Sequence, residues 1–359
     1  METNTNKPRI MIYGANGYTG TLLAREAVSR GYSPLLAGRN AQKLAPLAEE
    51  LNLPAMAIAL DDDDALANAL REIDIVIHCA GPFSATAEPM MRACIATGTH
   101  YQDITGEMQV YMLGHSLHEQ AKQAGIVLCP GTGFDVIPTD CLARALSDAM
   151  PGATHLTLGF DSDSRLSPGT AKTSVESLGV GGAVRRNGEI EIIGHAEKER
   201  TIDFGRGEKF AIAIPWGDVA TAFYSTGIPN IEVYIPLSPR KAKQMRRLNW
   251  LRPLLRTGFI QNFLKGKIEK SVRGPSAEKR AGLKTWVWGE VRNDRRGERK
   301  VGQVTTANGY DVTVYGCLAV MDFLANYQGE GGYFTPATLC GPGLVEQLPG
   351  SSEIKISLG

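Results

Sequence analysis

The sequence predicts an α/β chain. A doubly wound parallel sheet comes first, followed by a second α+β domain with a mostly antiparallel sheet. Three observations predict it. Short apolar runs alternate with helical patterns from residue 9 to about residue 134. A glycine-rich turn follows the first of those runs directly. From about residue 152 the helices thin out and strand-like runs are joined by Gly-rich turns.

The first half reads in order as strand Arg9–Tyr13, helix Gly17–Arg30, strand Pro34–Ala37 and helix Ala41–Leu51. Strand Ala55–Leu60, helix Asp61–Arg71, strand Asp74–Cys79 and helix Ala87–Thr97 come next, then strands His100–Ile104 and Ile126–Cys129. Strands this apolar are buried on both faces, as right-handed βαβ units require. In the second half, His155–Phe160, Glu189–Ile193, Phe210–Ile214 and Ile231–Pro236 read as antiparallel strands, with Thr285–Val291 and Gly302–Thr306 similar. Asp311–Leu324 reads as a long helix. The expected organisation is a nucleotide-binding domain over 1–150, a substrate and dimerisation domain over 151–306, and a tail over 307–359 that returns toward the first domain.

Gly14-Ala15-Asn16-Gly17-Tyr18-Thr19-Gly20 links the first strand to the first helix with G-x-x-G-x-x-G spacing. In a Rossmann domain the first glycine makes the tight turn, the second admits a pyrophosphate to the backbone, and the third lets helix pack on sheet. The helix N-terminus then offers unsatisfied N–H groups and a positive dipole end to phosphate. The second strand ends in Gly38-Arg39, where an NAD-specific domain places an acid for the ribose 2′-OH. Arg39 offers a fork suited to a 2′-phosphate, and Lys43 lies one helical turn on. The cofactor reading is therefore NADP(H), with NAD(H) as the alternative. Asp61, closing the third strand, is placed toward the adenine. Ala80-Gly81-Pro82-Phe83, closing the fourth, is placed along the ribose and nicotinamide, and Gly131 and Phe134 follow the sixth.

Tyr101, Asp103 and Asp135 stand in loops opening on the same side, and are the candidate proton donors or polarising groups. The competing reading makes them caps or structural hydrogen bonds, and Asp140, ahead of a helical run, reads as a cap. The Asp61–Asp64 run reads as helix capping rather than a metal site. His115 and His118 read as exposed helix surface. No metal is expected.

Lys+Arg and Asp+Glu balance at 38 each, so overall charge points to no nucleic-acid partner. From Arg240 to Arg273, however, eleven Lys/Arg accompany one acid, Glu269, with apolar residues interleaved. This stretch reads either as a basic amphipathic segment on a membrane or over an apolar pocket, or as an ordinary solvated helix face. The six cysteines form no C-x-x-C pair and read as reduced thiols. The expected location is cytoplasmic or peripheral to a membrane, since no signal-like start and no spanning apolar run is read.

GANGYTG, AGRNAQKL, CAGPF, YQDITGE and GTGFDVIPTD, in that order, resemble the saccharopine dehydrogenase-like oxidoreductase family. SPGTAKTSVES (167–177), GPSAEKR (274–280), NGY (308–310) and FTPATLCGPGLVEQLPG (334–350) extend the resemblance. The branch is similar to trans-acting enoyl reductases and lipid-droplet-associated saccharopine dehydrogenase-like oxidoreductases. The resemblance implies hydride transfer to a small or lipid-like enoyl, imine or carbonyl substrate; a homodimer is one assembly left open by the sequence. The resemblance also implies a second domain unlike that of saccharopine reductases, and hence a substrate other than saccharopine. Where the branch reads S-G-G-T, this chain has Ser167-Pro168-Gly169-Thr170, and Pro168 lacks an N–H to offer a ligand. The alternative is a non-catalytic NADP(H)-binding module associated with a membrane or partner.

Overall fold

The computed structural model describes residues 7–164, 178–261, 266 and 277–359. The 167–177 stretch, part of 274–280 and much of 262–273 lie outside them. The chain divides into two compact units. The first comprises Met1–Thr105, Gln109–Phe134 and Tyr310–Cys340; the second comprises Gly106–Met108, Asp135–Gly309 and Gly341–Gly359.

In the first unit the elements run β1 (Ile10–Tyr13), α1 (Tyr18–Ser29), β2 (Leu35–Gly38), α2 (Ala41–Leu51), β3 (Ala55–Ala57), α3 (Asp63–Leu70), β4 (Ile75–His78), α4 (Phe83–Thr97), β5 (His100–Asp103), α5 (Met108–Ser116), α6 (His118–Gln123) and β6 (Val127–Cys129). The sheet order is β3-β2-β1-β4-β5-β6, extended by the late strand Gly332–Tyr333 beside β6, and every pairing is parallel. The order reverses between β1 and β4, which is the topological switch point of a doubly wound sheet. Met11, Tyr13, Val76, Tyr101 and Leu128 from the strands share one core with α3 and α4.

Helices α5 and α6 stand where the sequence reading assigned no element, and two further elements have other bounds. Helix α4 starts at Phe83, four residues earlier than the expected Ala87, because Pro82 (φ −70°) at its N-cap sets the backbone for entry and the helix continues through Pro89. Strand β3 stops at Ala57 because it is an exposed edge with one neighbour, and the chain then bends into α3. Asp62 caps α3, accepting from Ala65 N at 3.0 Å, with Asp63 and Asp64 in the first turn. His118 is not simply surface: its Nδ1 accepts the Tyr333 amide at 3.1 Å.

The helix Gly309–Leu324, carrying the predicted Asp311–Leu324, packs into this unit from Tyr310 onward. Gln102 Nε2 donates to Cys317 O at 3.2 Å, and Phe134 N donates to Thr313 Oγ1 at 3.0 Å. All six cysteines are free.

The second unit opens with α7 (Ile137–Ala149) and β7 (His155–Ser162), then β8 (Gly182–Arg186), β9 (Glu189–Ile193), β10 (Glu199–Asp203), β11 (Glu208–Ala213), α8 (Asp218–Thr226), β12 (Asn230–Pro236) and α9 (Pro239–Leu248). Strands β13 (Lys284–Asn293), β14 (Glu298–Ala307) and, after the Gly332–Tyr333 strand β15, β16 (Lys355–Leu358) complete it. The sheet order is β10-β11-β12-β7-β13-β14-β16, with β8 and β9 branching from β12. It is mixed rather than wholly antiparallel, since β12 and β7 run parallel. Helix α7 lies on it through Leu142 and Leu146. A Cβ at Gly289 would stand 2.7 Å from Leu146 Cδ1, and one at Gly302 would stand 2.8 Å from Leu142 Cδ1. Asp140 is not a cap. It lies inside α7, fully buried, and accepts the Ser225 hydroxyl from α8.

Candidate functional site

The first unit assembles its site at the carboxyl ends of β1 and β4. Gly14 leaves β1 with φ +84°, and its amide donates to Ala37 O of β2 at 2.7 Å. A Cβ there would stand 2.8 Å from Ala80 N, so the turn presses directly on the chain leaving β4. A Cβ on Gly20 would collide with Gly14 O and stand 2.8 Å from Ala15 Cα, which is the close helix–strand packing the third glycine permits. Gly17 differs. It has an ordinary φ of −75°, and its Cβ would meet only Gly14 O, at 3.2 Å. Protein packing thus demands Gly14 and Gly20 far more than Gly17. Gly17 is the N-cap of α1 with no side-chain cap, so the first turn of the helix carries no internal anion. Tyr18, in that turn, meets the ring of Tyr310 edge-on at 5.1 Å.

Gly38 lies against Asn16, whose Oδ1 would be 3.2 Å from an added Cβ. The next residue, Arg39, is exposed, as is Lys43. Neither side chain makes a hydrogen bond or ion pair among the described residues. Asn40 caps α2 by accepting from Lys43 N at 3.1 Å, which fixes the turn carrying both cations. Asp61 is exposed.

After β4, Ala80 and Gly81 lead through a cis peptide to Pro82 and Phe83. Thr86 Oγ1 lies 3.0 Å from His78 Nε2 and donates to Ala80 O at 2.7 Å. The same hydroxyl reaches Pro82 O at 3.1 Å, so Thr86 ties the His78 ring to the loop that follows β4. His78 Nδ1 is buried with no hydrogen-bond partner among the described residues, and burial lowers the ring to about 3, so the imidazole stays neutral. His78 holds the loop and is no proton source. Burial also keeps the Cys79 and Cys317 thiols protonated, the latter pushed up to about 12.

The three candidate proton donors separate clearly. Tyr101 and Asp103 are fully buried on β5. Tyr101 OH donates to Asp103 Oδ2 at 2.5 Å, and Asp103 Oδ1 accepts Thr105 N at 2.9 Å and Gly131 N at 2.8 Å. Thr132 N donates to Asp103 O at 2.7 Å. This pair fastens the 131–134 loop to β5. Asp135 belongs to the second unit and keeps part of its surface open. Its carboxylate lies over Gly106, where a Cβ would stand 2.5 Å from Oδ2. No described residue hydrogen-bonds its side chain. Loss of hydration, despite that partial access, raises it to about 7. One peptide bond joins it to Phe134.

The second unit also holds a cavity of about 280 Å³ lined by His155, Thr157, Arg200, Glu232, Glu290 and Arg292. Its charges are matched internally: Arg200 Nη2 donates to both Glu290 oxygens at 2.7 and 2.8 Å, Glu232 pairs with Lys198, and Arg292 pairs with Asp294. The β1/β4 end remains the stronger site on chemistry.

The sequence reading expected 307–359 to return toward the first domain but named no contact there. Tyr310 and Thr313 reach the glycine turn and the 131–134 loop from residues far along the chain, and no local pattern signals that. His78 was visible only as a histidine ending an apolar run.

The family model described as saccharopine dehydrogenase NADP binding domain matches residues 10–129. A mitochondrial saccharopine dehydrogenase-like oxidoreductase of Arabidopsis thaliana is 30% identical over 207 residues, covering 50% of this chain and 45% of the relative. A Mycobacterium tuberculosis protein named as a trans-acting enoyl reductase is 33% identical over 158 residues, covering 41% and 38%. These matches span less than half of each relative. Among solved structures, saccharopine dehydrogenase (L-Glu forming) from Saccharomyces cerevisiae aligns with TM-score 0.63 at 12% identity, covering 98% of this chain and all of that one. Homospermidine synthase from Legionella pneumophila, solved with NAD, gives 0.66 at 10% identity over 98% and 92%. Both likenesses concern the fold. They correct the expectation of a second domain unlike that of saccharopine dehydrogenases, because the alignment runs through nearly the whole chain.

Proposed function

We propose that this chain is an NADP(H)-dependent oxidoreductase that reduces an enoyl, imine or carbonyl group of a small or lipid-like substrate. The observation that carries it is the glycine turn at the uncapped N-terminus of α1, with Arg39 just past β2 and Lys43 in the first turn of α2, both exposed and neither making a hydrogen bond or ion pair among the described residues. The backbone from Asn16 through Gly20 receives the pyrophosphate. Gly38, Arg39 and Lys43 receive the 2′-phosphate, and Asp61 borders the adenine end. Ala80 through Phe83, with Gly131 and Phe134, flank the ribose and nicotinamide. When bound, the cofactor supplies the hydride.

The chain's own chemistry is orientation and a proton. Asp135 is the assigned proton donor, because its carboxyl is unpaired and raised to about 7. Tyr101 and Asp103 are positioning residues that hold the loop ahead of it. The name of the M. tuberculosis relative supports an enoyl substrate. The second reading, a non-catalytic NADP(H) holder, draws on the burial of Tyr101 and Asp103.

The test pairs binding with turnover. NADPH is expected to bind more tightly than NADH, and to be consumed with at least one member of a panel of enoyl thioesters, cyclic imines and ketones. Tight NADPH binding without consumption across the panel supports the second reading. Failure to bind either dinucleotide overturns both.

A further inference from the structure

Between Arg240 and Gln261 the chain carries seven Lys/Arg and no Asp or Glu. Three of these cations have internal work. Arg246 pairs with Glu199 at 2.5 Å, Arg252 donates to Val180 O, and Arg256 Nε donates to Gly179 O at 2.8 Å. Arg240, Lys241, Lys243 and Arg247 are exposed, and their side chains make no hydrogen bond or ion pair among the described residues.

The same stretch concentrates exposed apolar surface. Trp250 is 88% exposed, Phe259 84%, Leu254 54% and Leu251 49%. Large side chains this bare in water mark a surface that meets something apolar. The support beneath them is fixed. Ser238 caps α9, accepting from Lys241 N at 3.4 Å. Ala242 and Met245 pack on Phe210, Ile214, Ile235 and Leu237. Asn249 exchanges two hydrogen bonds with the backbone of His195, at 2.8 and 3.2 Å.

We propose that residues 240–261 dock this protein on a bilayer surface containing anionic lipid, Trp250, Leu251, Leu254 and Phe259 entering the headgroup boundary and Arg240, Lys241, Lys243 and Arg247 meeting lipid phosphates. Charge complementarity and the kind of apolar residue select this occupant. Aromatic rings favour the membrane–water interface, and basic residues on the same segment favour anionic lipid. A nucleic acid would satisfy the cations but offers no apolar layer to Leu251 and Leu254. The inference goes beyond the proposed reaction and stands without it, because its test reads partition rather than turnover.

The experiment is flotation of the full chain with phosphatidylcholine vesicles and with vesicles containing one fifth phosphatidylserine, alongside tryptophan emission. Preferential recovery on the anionic vesicles is expected, with a blue shift that Trp250→Phe removes. Lys241→Glu with Lys243→Glu is expected to weaken anionic-vesicle partition by about tenfold or more, since each cation near such a surface contributes roughly 1 kcal/mol. Trp250→Ala with Phe259→Ala is expected to weaken it by about fivefold. All four positions are exposed, and unchanged circular dichroism verifies that the variants fold. Equal recovery on both vesicle types overturns the proposal. So does anionic binding untouched by Trp250→Ala with Phe259→Ala, which would be plain charge adsorption. A concentration-dependent dimer abolished by that same double variant, without vesicle binding, overturns it in favour of a second copy.

Discussion

Tyr101 and Asp103 occupy the same face of β5, two residues apart, and the tyrosine hydroxyl donates to Asp103 Oδ2 at 2.5 Å in the fully buried interior. With the Thr105 and Gly131 amides on the other oxygen, Asp103 organises the loop after β6. Asp103→Ala is expected to destabilise the protein by about 3 kcal/mol or more, because two buried amides and the Tyr101 hydroxyl lose their acceptor. Tyr101→Phe is expected to cost about 1 kcal/mol in stability. It should lower turnover far less than the ~10²-fold that loss of a general acid costs, and leave the pH profile in place. Urea unfolding and a pH–rate profile check both.

The glycines of the turn should part company under substitution. Gly14→Ala forces a side chain into φ +84° and against Ala80 N, and is expected to cost more than about 2 kcal/mol. Gly17→Ala keeps an allowed φ and one tight contact, so its stability change should stay below about 1 kcal/mol. Its NADPH affinity should nevertheless fall by about tenfold or more, since the helix terminus is where phosphate must approach. Calorimetric melting and NADPH titration separate the two effects.

Arg39→Glu places an acid where the fork stood. NADPH affinity is expected to fall by about 10- to 100-fold, the worth of one or two charge-assisted hydrogen bonds, with NADH affinity held or improved. Fluorescence titration of both cofactors decides it, and equal losses for the two would remove Arg39 from the 2′-phosphate site.

With Asp135 as the proposed proton donor, the reaction is expected to carry a pH limb. Its neutral form donates, so turnover should fall as pH rises through about 7, and Asp135→Asn should abolish that limb together with most activity. Stability carries the same sign. The folded carboxyl binds its proton more tightly than the unfolded one, so between about pH 4 and 7 the folded state holds more protons and stability falls as pH rises. Asp135→Asn should therefore be the more stable protein above pH ~7, with the advantage gone below pH ~4. Unfolding midpoints across that range measure it.

Much of the candidate site was legible because it is local. The glycine turn, Arg39 and the Gly81–Pro82 loop each sit at the end of an apolar run, and a parallel sheet gathers such ends on one side. Tertiary contacts decided the roles. In sequence, Tyr101, Asp103 and Asp135 are three equivalent candidates. Folding buries the first two against amides contributed by another loop, and leaves the third unpaired and raised to about 7.

The sequence by itself determined the alternation of strands and helices from β1 to β5, the glycine turn after β1 and the positive charge just past β2, because each depends on residues within a few positions. Only the tertiary structure decided which glycine is required by packing and which is spared for a ligand, and that Tyr310 and Thr313 belong beside the first unit's loops. It also decided that Arg240, Lys241, Lys243 and Arg247 stand without a side-chain partner among the described residues on the segment that carries a bare Trp250. The physical reason is common to these cases: burial, close approach and pairing depend on groups that meet across space, and spacing along the chain does not encode them.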